Sequence, residues 1–255
     1  MSALYYLDPA PQNKNPILLI HGLGSDSSSW QFQIPELIKA GYRPIAVDVP
    51  GFGKSGFQNY PWTIRKASSI ILRELVDKIP EPIILVGLSM GGTVAQTLYR
   101  QRPGKFKKLV LVSTFSRLRP SAGENLPYLL RRLAQVSTGN ISKQAQTVAD
   151  RLFPGEDQKF LHDYLLEQVA TANPKVYRQC MVSLGLFNSR LWMKKCTIPV
   201  LVISGDADTT VTLKNQIRLA HGIPHCEHII ISGGGHAVSV DHAEEFNSFL
   251  LRFLR

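Results

Sequence analysis

The sequence predicts an α/β chain: a mostly parallel, doubly wound sheet with a block of helices inserted between two late strands. Three observations carry that expectation. Short apolar runs rich in β-branched residues alternate with stretches of helical periodicity. The central runs are apolar without interruption, as strands covered on both faces are. The alternation stops at about residue 116 and resumes near residue 196.

In chain order, the candidate strands are 4–7, 17–20, 44–47, 83–86, 109–113, 200–204 and 228–231. Helical stretches lie between them. Residues 63–79 carry Ile64, Ala67, Ile71 and Leu75 at helical spacing, and 93–100 carry Val94, Ala95 and Leu98 before Pro103 stops the run. The C-terminal run places Ala243, Phe246, Leu250 and Phe253 on one face. Strand–helix alternation of this kind predicts parallel strands with helices on both sides. The interrupting stretch reads as about four helices, centred on 126–134, 145–153, 160–170 and 176–186, with Pro154-Gly155 and Asn173-Pro174 as punctuation. We expect 1–115 and 196–255 to form one core domain, and 116–195 to form a helical cap over the C-terminal ends of its strands.

Composition bounds the function. The chain has 255 residues, 44% of them hydrophobic, enough for a sizeable core. Its 29 Lys and Arg against 19 Asp and Glu leave a net charge of +10, which suits a basic surface or an anionic partner. No nucleic-acid-binding motif accompanies the charge, and none is expected as a partner. The three cysteines, Cys180, Cys196 and Cys226, have no metal-ligand spacing and read as free thiols. The first residues lack a basic start followed by an apolar stretch, and no apolar run approaches the roughly 20 residues of a membrane helix. These features lead us to expect a cytoplasmic protein.

The chemistry begins at Gly87-Leu88-Ser89-Met90-Gly91, which follows a strand and opens a helix. A sharp strand-to-helix turn lifts the serine Oγ clear of the backbone, and side chains at the flanking glycines would collide with neighbouring chain. The helix N-terminus adds positive potential for a developing oxyanion. His21-Gly22-Leu23-Gly24 follows the strand at 17–20 and can turn beneath a substrate carbonyl. The expected oxyanion donors are the N–H groups of Leu23 and Met90. The strand at 200–204 runs into Asp206-Ala207-Asp208, and the last strand runs into Gly233-Gly234-Gly235-His236. Parallel strands present their C-terminal ends together, so these loops open beside Ser89. His236 can take the Ser89 proton, and Asp206 or Asp208 can orient the imidazole. His221, His225 and His228 are alternatives that lack the glycine-rich setting.

A second motif competes. Gly51 to Gly56 matches the glycine spacing of a dinucleotide-binding turn and nearly makes a phosphate loop. The former needs a helix starting near Gly56, whereas Phe57-Gln58-Asn59-Tyr60-Pro61 follows; the latter needs glycine where Asp48 stands.

Together, HGLGSDSSSW, DVPGFGKS, GLSMGG, ISGDADTTV and GGGHAVSVDHAEEF resemble the α/β-hydrolase superfamily across nearly the whole chain. The resemblance implies the α/β-hydrolase fold with a helical cap after its sixth sheet strand. It implies catalytic Ser89, Asp208 and His236, because the family's acid stands three residues after the glycine. Asp241 matches an acidic residue common five positions after the histidine. Val211 departs from the proline that many relatives carry there. Serine at position 89 separates the chain from haloalkane dehalogenases and epoxide hydrolases, which use Asp. Carbon–carbon bond hydrolases usually carry Trp after the histidine, where this chain has Ala237. The expected enzyme is a carboxylesterase-like hydrolase of small esters needing no cofactor or metal. Lactones, thioesters and carbon–carbon bonds are alternative substrates, and a non-catalytic ligand sensor is an alternative outside enzymes. The plan also resembles the carrier-protein methyl-ester esterase of biotin synthesis, and Arg117, Arg119, Arg131, Arg132, Lys143 and Arg151 could receive an acidic carrier protein. Leu129, Phe153, Leu184 and Phe187 are candidate acyl-pocket residues.

Overall fold

The computed structural model describes residues 4–118 and 125–255. In chain order the elements are β1 (Tyr6–Leu7), β2 (Asn15–Ile20), α1 (Ile34–Lys39), β3 (Tyr42–Val47), α2 (Ile64–Glu74), β4 (Ile83–Leu88), α3 (Met90–Gln101) and β5 (Phe106–Val112). Five helices follow: α4 (Asn125–Ser137), α5 (Ile141–Leu152), α6 (Lys159–Ala170), α7 (Pro174–Leu186) and α8 (Arg190–Met193). The chain then makes β6 (Val200–Gly205), α9 (Leu213–His221), β7 (Cys226–Ile231), α10 (Val238–Asp241) and α11 (Ala243–Leu254).

The seven strands form one sheet in the order β1-β3-β2-β4-β5-β6-β7. Only the edge strand β1 is antiparallel; every other pairing is parallel. The strand order reverses between β2 and β4, because β3 lies on one side of β2 and β4 on the other. In such sheets the crevice beyond the carboxyl ends of the strands at the reversal is the natural ligand site. The period-2 alternation of strand side chains builds two apolar layers. Ile83 and Leu85 of β4 pack in one with Ile71 of α2 and Val94 and Leu98 of α3. Ile84, Val86 and Leu88 pack in the other with Phe246 and Leu250 of α11.

All seven expected strands form, and several extend further toward their N-termini than their apolar runs do. Several of the added residues are polar and tied down. Arg43 of β3 pairs with Asp8 at 2.6 Å, and Lys108 of β5 donates to the carbonyls of Phe253 and Leu254 at 2.6 and 3.0 Å. Asn173 and Pro174 mark a helix start: the Asn173 side chain accepts from the N–H groups of Lys175 and Val176, with proline in the first turn of α7. The short helices α1, α8 and α10 escape a reading by periodicity because each spans six residues or fewer. The helical block follows the fifth strand among the described residues, not the sixth. No described helix is long and apolar enough to cross a membrane.

Candidate active site

Ser89 sits between β4 and α3 with φ 53° and ψ −112°, a left-handed conformation that is strained for a residue with a side chain. Its neighbours enforce it. A Cβ on Gly87 would run into the Gly91 carbonyl, and a Cβ on Gly91 would run into the carbonyl oxygens of Ile20 and His21. Only glycine allows α3 to cross so close to the end of β2. The Ser89 N–H donates to Val112 at 2.8 Å, and the Thr114 hydroxyl donates to the Ser89 carbonyl at 2.7 Å.

His236 reaches the serine from the loop after β7. Its Nε2 lies 2.9 Å from Ser89 Oγ, and its Nδ1 lies 2.8 Å from Asp208 Oδ2. The Asp208 side chain has no exposure and that of His236 has 10%. A carboxylate only accepts, so Nδ1 carries the proton and Nε2 presents its lone pair to the serine hydroxyl. Asp208 is held on both oxygens. Oδ1 accepts from the N–H groups of Thr210 and Val211, each at 2.8 Å, and Oδ2 accepts from Gln216 Nε2 at 3.0 Å as well as from His236. Gln216, on α9, had no signal in the sequence. The loops of Asp208 and His236 are pressed together, since a Cβ on Gly205 would meet the Gly234 carbonyl.

The other candidates are elsewhere. Asp206 is exposed and accepts from the Gly233 N–H at 2.7 Å, bracing one loop against the other. Asp241 accepts from the Gly235 N–H at 2.9 Å and so supports the turn that carries His236. His228 bonds the Ser204 hydroxyl at 2.9 Å, and burial pushes its pKa down.

His21 is fully buried behind the loop after β2. Its Nε2 accepts from the Val49 N–H at 2.9 Å, so Nδ1 donates to the Gly22 carbonyl at 2.7 Å. Burial lowers its pKa and keeps it neutral. A Cβ on Gly22 would stand 3.8 Å from Ser89 Cβ, which sets this loop beside the serine. The N–H groups of Leu23 and Met90 find no acceptor among the described residues. The competing Gly51 motif is a loop around Asp48, whose carboxylate accepts from the N–H groups of Ser27 and Lys54 at 2.7 and 2.8 Å. The next helix begins at Ile64, so the helix that a dinucleotide turn requires is absent.

A cavity of about 160 Å³ opens on Ser89, His236 and Leu23. Its wall is mostly apolar and includes Leu118, Leu161 and Met181 from the stretch between β5 and β6. Phe153 and Leu184 line it as well. Phe187 instead packs edge-on between Phe115 and Trp192, and the Leu129 side chain lies outside the described ones. Among the described residues, no cluster of three His, Cys, Asp or Glu side chains could hold a metal ion.

The parallel sheet that brings the loops of Ser89, Leu23, Asp208 and His236 to one edge agrees with the comparisons. The profile of the α/β hydrolase fold matches residues 15–243. The chain belongs to the α/β-hydrolase family. It is 30% identical over 260 residues to a 2-hydroxy-6-oxononadienedioate/2-hydroxy-6-oxononatrienedioate hydrolase of Paraburkholderia phymatum, covering 94% of this chain and 87% of the relative. It is 24% identical over 240 residues to a pimeloyl-[acyl-carrier protein] methyl ester esterase of Legionella pneumophila, covering 94% and 95%. Among solved structures, a bromoperoxidase from Bacillus anthracis superposes with a TM-score of 0.89 at 27% identity, covering 98% of this chain and 95% of that one.

The basic residues expected on the surface of this α/β hydrolase divide. Arg117, Arg131 and Lys143 are exposed, and Arg119 lies outside the described residues. Arg151 is half-buried and donates to the Thr209 carbonyl. Arg132 is 7% exposed and points into the cavity wall, where no protein partner could reach it.

Proposed function

We propose that this α/β hydrolase cleaves carboxylic esters through an acyl-enzyme on Ser89. The observation that carries the reading is the continuous chain Ser89 Oγ···His236 Nε2, His236 Nδ1···Asp208 Oδ2, with both distances under 3 Å and the serine facing a mostly apolar cavity. His236 takes the Ser89 proton as Oγ attacks the carbonyl, then delivers it to the leaving group. Asp208 holds the imidazole in the tautomer that can accept, and stabilises the imidazolium. The developing oxyanion takes the two unengaged N–H groups of Leu23 and Met90, the latter at the positive end of α3. Water activated by His236 then releases the acid. The helices between β5 and β6 act as a cap that selects the acyl group.

The test is a panel of p-nitrophenyl esters of graded chain length, a lactone and a thioester, with the wild-type protein and Ser89→Ala. Turnover should fall by about three orders of magnitude or more in the variant, leaving only what binding and the oxyanion donors supply. Turnover in Ser89→Ala within tenfold of wild type would refute the assignment.

A second reading concerns the carrier of the acyl group. Exposed Arg117, Arg131 and Lys143 favour an acidic carrier protein, as does the similarity to an esterase of acyl-carrier-protein methyl esters. Arg117→Glu with Arg131→Glu should weaken carrier-linked turnover while small esters are spared. Equal loss on both sinks that reading.

A further inference from the structure

Arg132 has no part in the reaction described above, yet it lines the same cavity as Ser89 and His236. Its Nη2 donates to the Tyr177 hydroxyl at 2.7 Å. With the Gln144 amide turned so that its oxygen faces the guanidinium, that oxygen accepts from Nε at 2.6 Å and Nη2 at 3.0 Å. The guanidinium also stands 5.3 Å from the centre of the Tyr128 ring. All of these partners are neutral. No carboxylate among the described residues pairs with Arg132. Arginine keeps its charge at any working pH, and a charged side chain is almost never buried without a counter-charge. Neutral hydrogen bonds replace part of the lost hydration and leave the net charge unbalanced.

A second orphan lies in the same wall. The Tyr128 hydroxyl is buried and lines the cavity; its oxygen faces the Arg132 guanidinium, which can only donate, so its own proton has no acceptor among the described residues. Buried polar groups in folded proteins are ordinarily satisfied, so an unsatisfied donor facing a cavity points to something that enters it. We infer that Arg132, with the Tyr128 hydroxyl, is an anion subsite that takes a free carboxylate carried by the substrate. The preferred substrates are then half-esters of dicarboxylic acids: a scissile carbonyl at Ser89, a hydrocarbon segment along the apolar wall, and a carboxylate at Arg132. For the reaction at Ser89 this rests on the hydrolase reading. The subsite also explains why the helical block buries a charge where an aliphatic side chain would fill the wall more favourably.

The alternative is that Arg132 only ties α4 to α5 and α7, in which case substitution would affect all substrates alike. The experiment compares kcat/KM for mono-p-nitrophenyl adipate and p-nitrophenyl hexanoate, which have acyl chains of equal length and differ in the terminal carboxylate. Wild type should favour the half-ester by about 10- to 100-fold, the range expected of a charge-assisted hydrogen bond. Arg132→Met should bring that ratio to about 1 or below. Tyr128→Phe, which removes a hydroxyl whose proton has no acceptor among the described residues, should lower it by about three- to tenfold and decides the matter if Arg132→Met fails to fold. A wild-type ratio of 1 or less, or a ratio unchanged in the variants, overturns the subsite and leaves the hydrolase reading intact. If neither ester is turned over, the hydrolase reading fails. Calorimetric titration with adipate then decides the subsite alone: binding weakened by Tyr128→Phe upholds it, and no binding to wild type overturns it.

Discussion

Asp208→Asn tests the proposed mechanism more sharply than removal of the serine, because the structure dictates which way the new amide must face. Oδ1 of Asp208 accepts from two backbone N–H groups, those of Thr210 and Val211. An amide nitrogen placed there would confront two donors that cannot move. The asparagine oxygen must therefore occupy the Oδ1 position, and its NH₂ group must face His236 Nδ1. Gln216 could in principle turn its own amide to relieve the second contact, but its Nε2 also donates to the Val211 carbonyl at 2.7 Å. An NH₂ group facing Nδ1 forces the imidazole proton onto Nε2, which lies 2.9 Å from Ser89 Oγ. The imidazole can then no longer accept the serine proton. The expected loss in kcat is about 10³- to 10⁴-fold, or about 4 to 5.5 kcal/mol of transition-state stabilisation, with little effect on KM. The control is Asp206→Asn, which changes a loop brace and should stay within about threefold of wild type. Both are read as initial rates on a short p-nitrophenyl ester, with circular dichroism and Tm to exclude unfolding. An Asp208→Asn protein that is folded and retains more than a tenth of wild-type kcat would refute the role given to Asp208. A larger loss in Asp206→Asn would transfer that role to its neighbour.

Three further outcomes follow from the same contacts. Val211→Pro deletes one of the two N–H groups on Asp208 Oδ1 and should lower stability by about 1 to 2 kcal/mol in a denaturant titration, while kcat falls less than about tenfold, because the Thr210 and Gln216 donors remain. Gly205→Ala drives a Cβ into the Gly234 carbonyl and should displace the His236 loop, lowering Tm by several degrees and kcat together; an unchanged Tm would contradict the close packing of the two loops. His162 of α6 bonds Asp150 of α5 at 3.0 Å and Asp163 at 3.1 Å, and these carboxylates hold its pKa above the usual histidine value. A raised folded pKa means the α5–α6 clasp stabilises fully below the unfolded value of about 6.5 and is lost as pH rises through the folded value. An NMR titration of the His162 ring should show the raised midpoint, and Asp150→Asn should move it down.

The sheet was legible because its physics is local and repetitive. A strand buried on both faces must be apolar throughout, so β2, β4, β5 and β6 announce themselves as unbroken runs. The loops were legible for a related reason. Parallel strands put their C-terminal ends at one edge, so a serine, a histidine and an aspartate that each follow a strand fall near one another whatever their separation in sequence. Within a loop the signal weakens. The residues alone left Asp206 and Asp208 open, and the choice came from the family resemblance; the structure separates them by their hydrogen bonds. Gln216 was invisible, because a glutamine on the face of a helix that bonds a carboxylate eight residues earlier has no spacing that distinguishes it from a surface glutamine.

Arg131 and Arg132 mark where pattern reading runs out. Counted as charges, they are one basic pair on a helix. On α4 successive side chains point about 100° apart, so the two cannot share a face. Arg131 is exposed, whereas Arg132 turns inward to Tyr177 and Gln144. A hydropathy pattern assigns arginine to solvent because burying its charge is unfavourable, and that rule holds for nearly every arginine in a soluble chain. It breaks where a buried charge has work to do on a ligand. In the readings proposed above, Arg131 belongs to how a carrier-borne substrate approaches the protein, and Arg132 to which end of a substrate lies in the cavity. The two roles separate experimentally: Arg131→Glu should alter the salt dependence of encounter with an acidic carrier and leave the preference for a terminal carboxylate untouched, whereas Arg132→Met should abolish that preference and leave the salt dependence as it was.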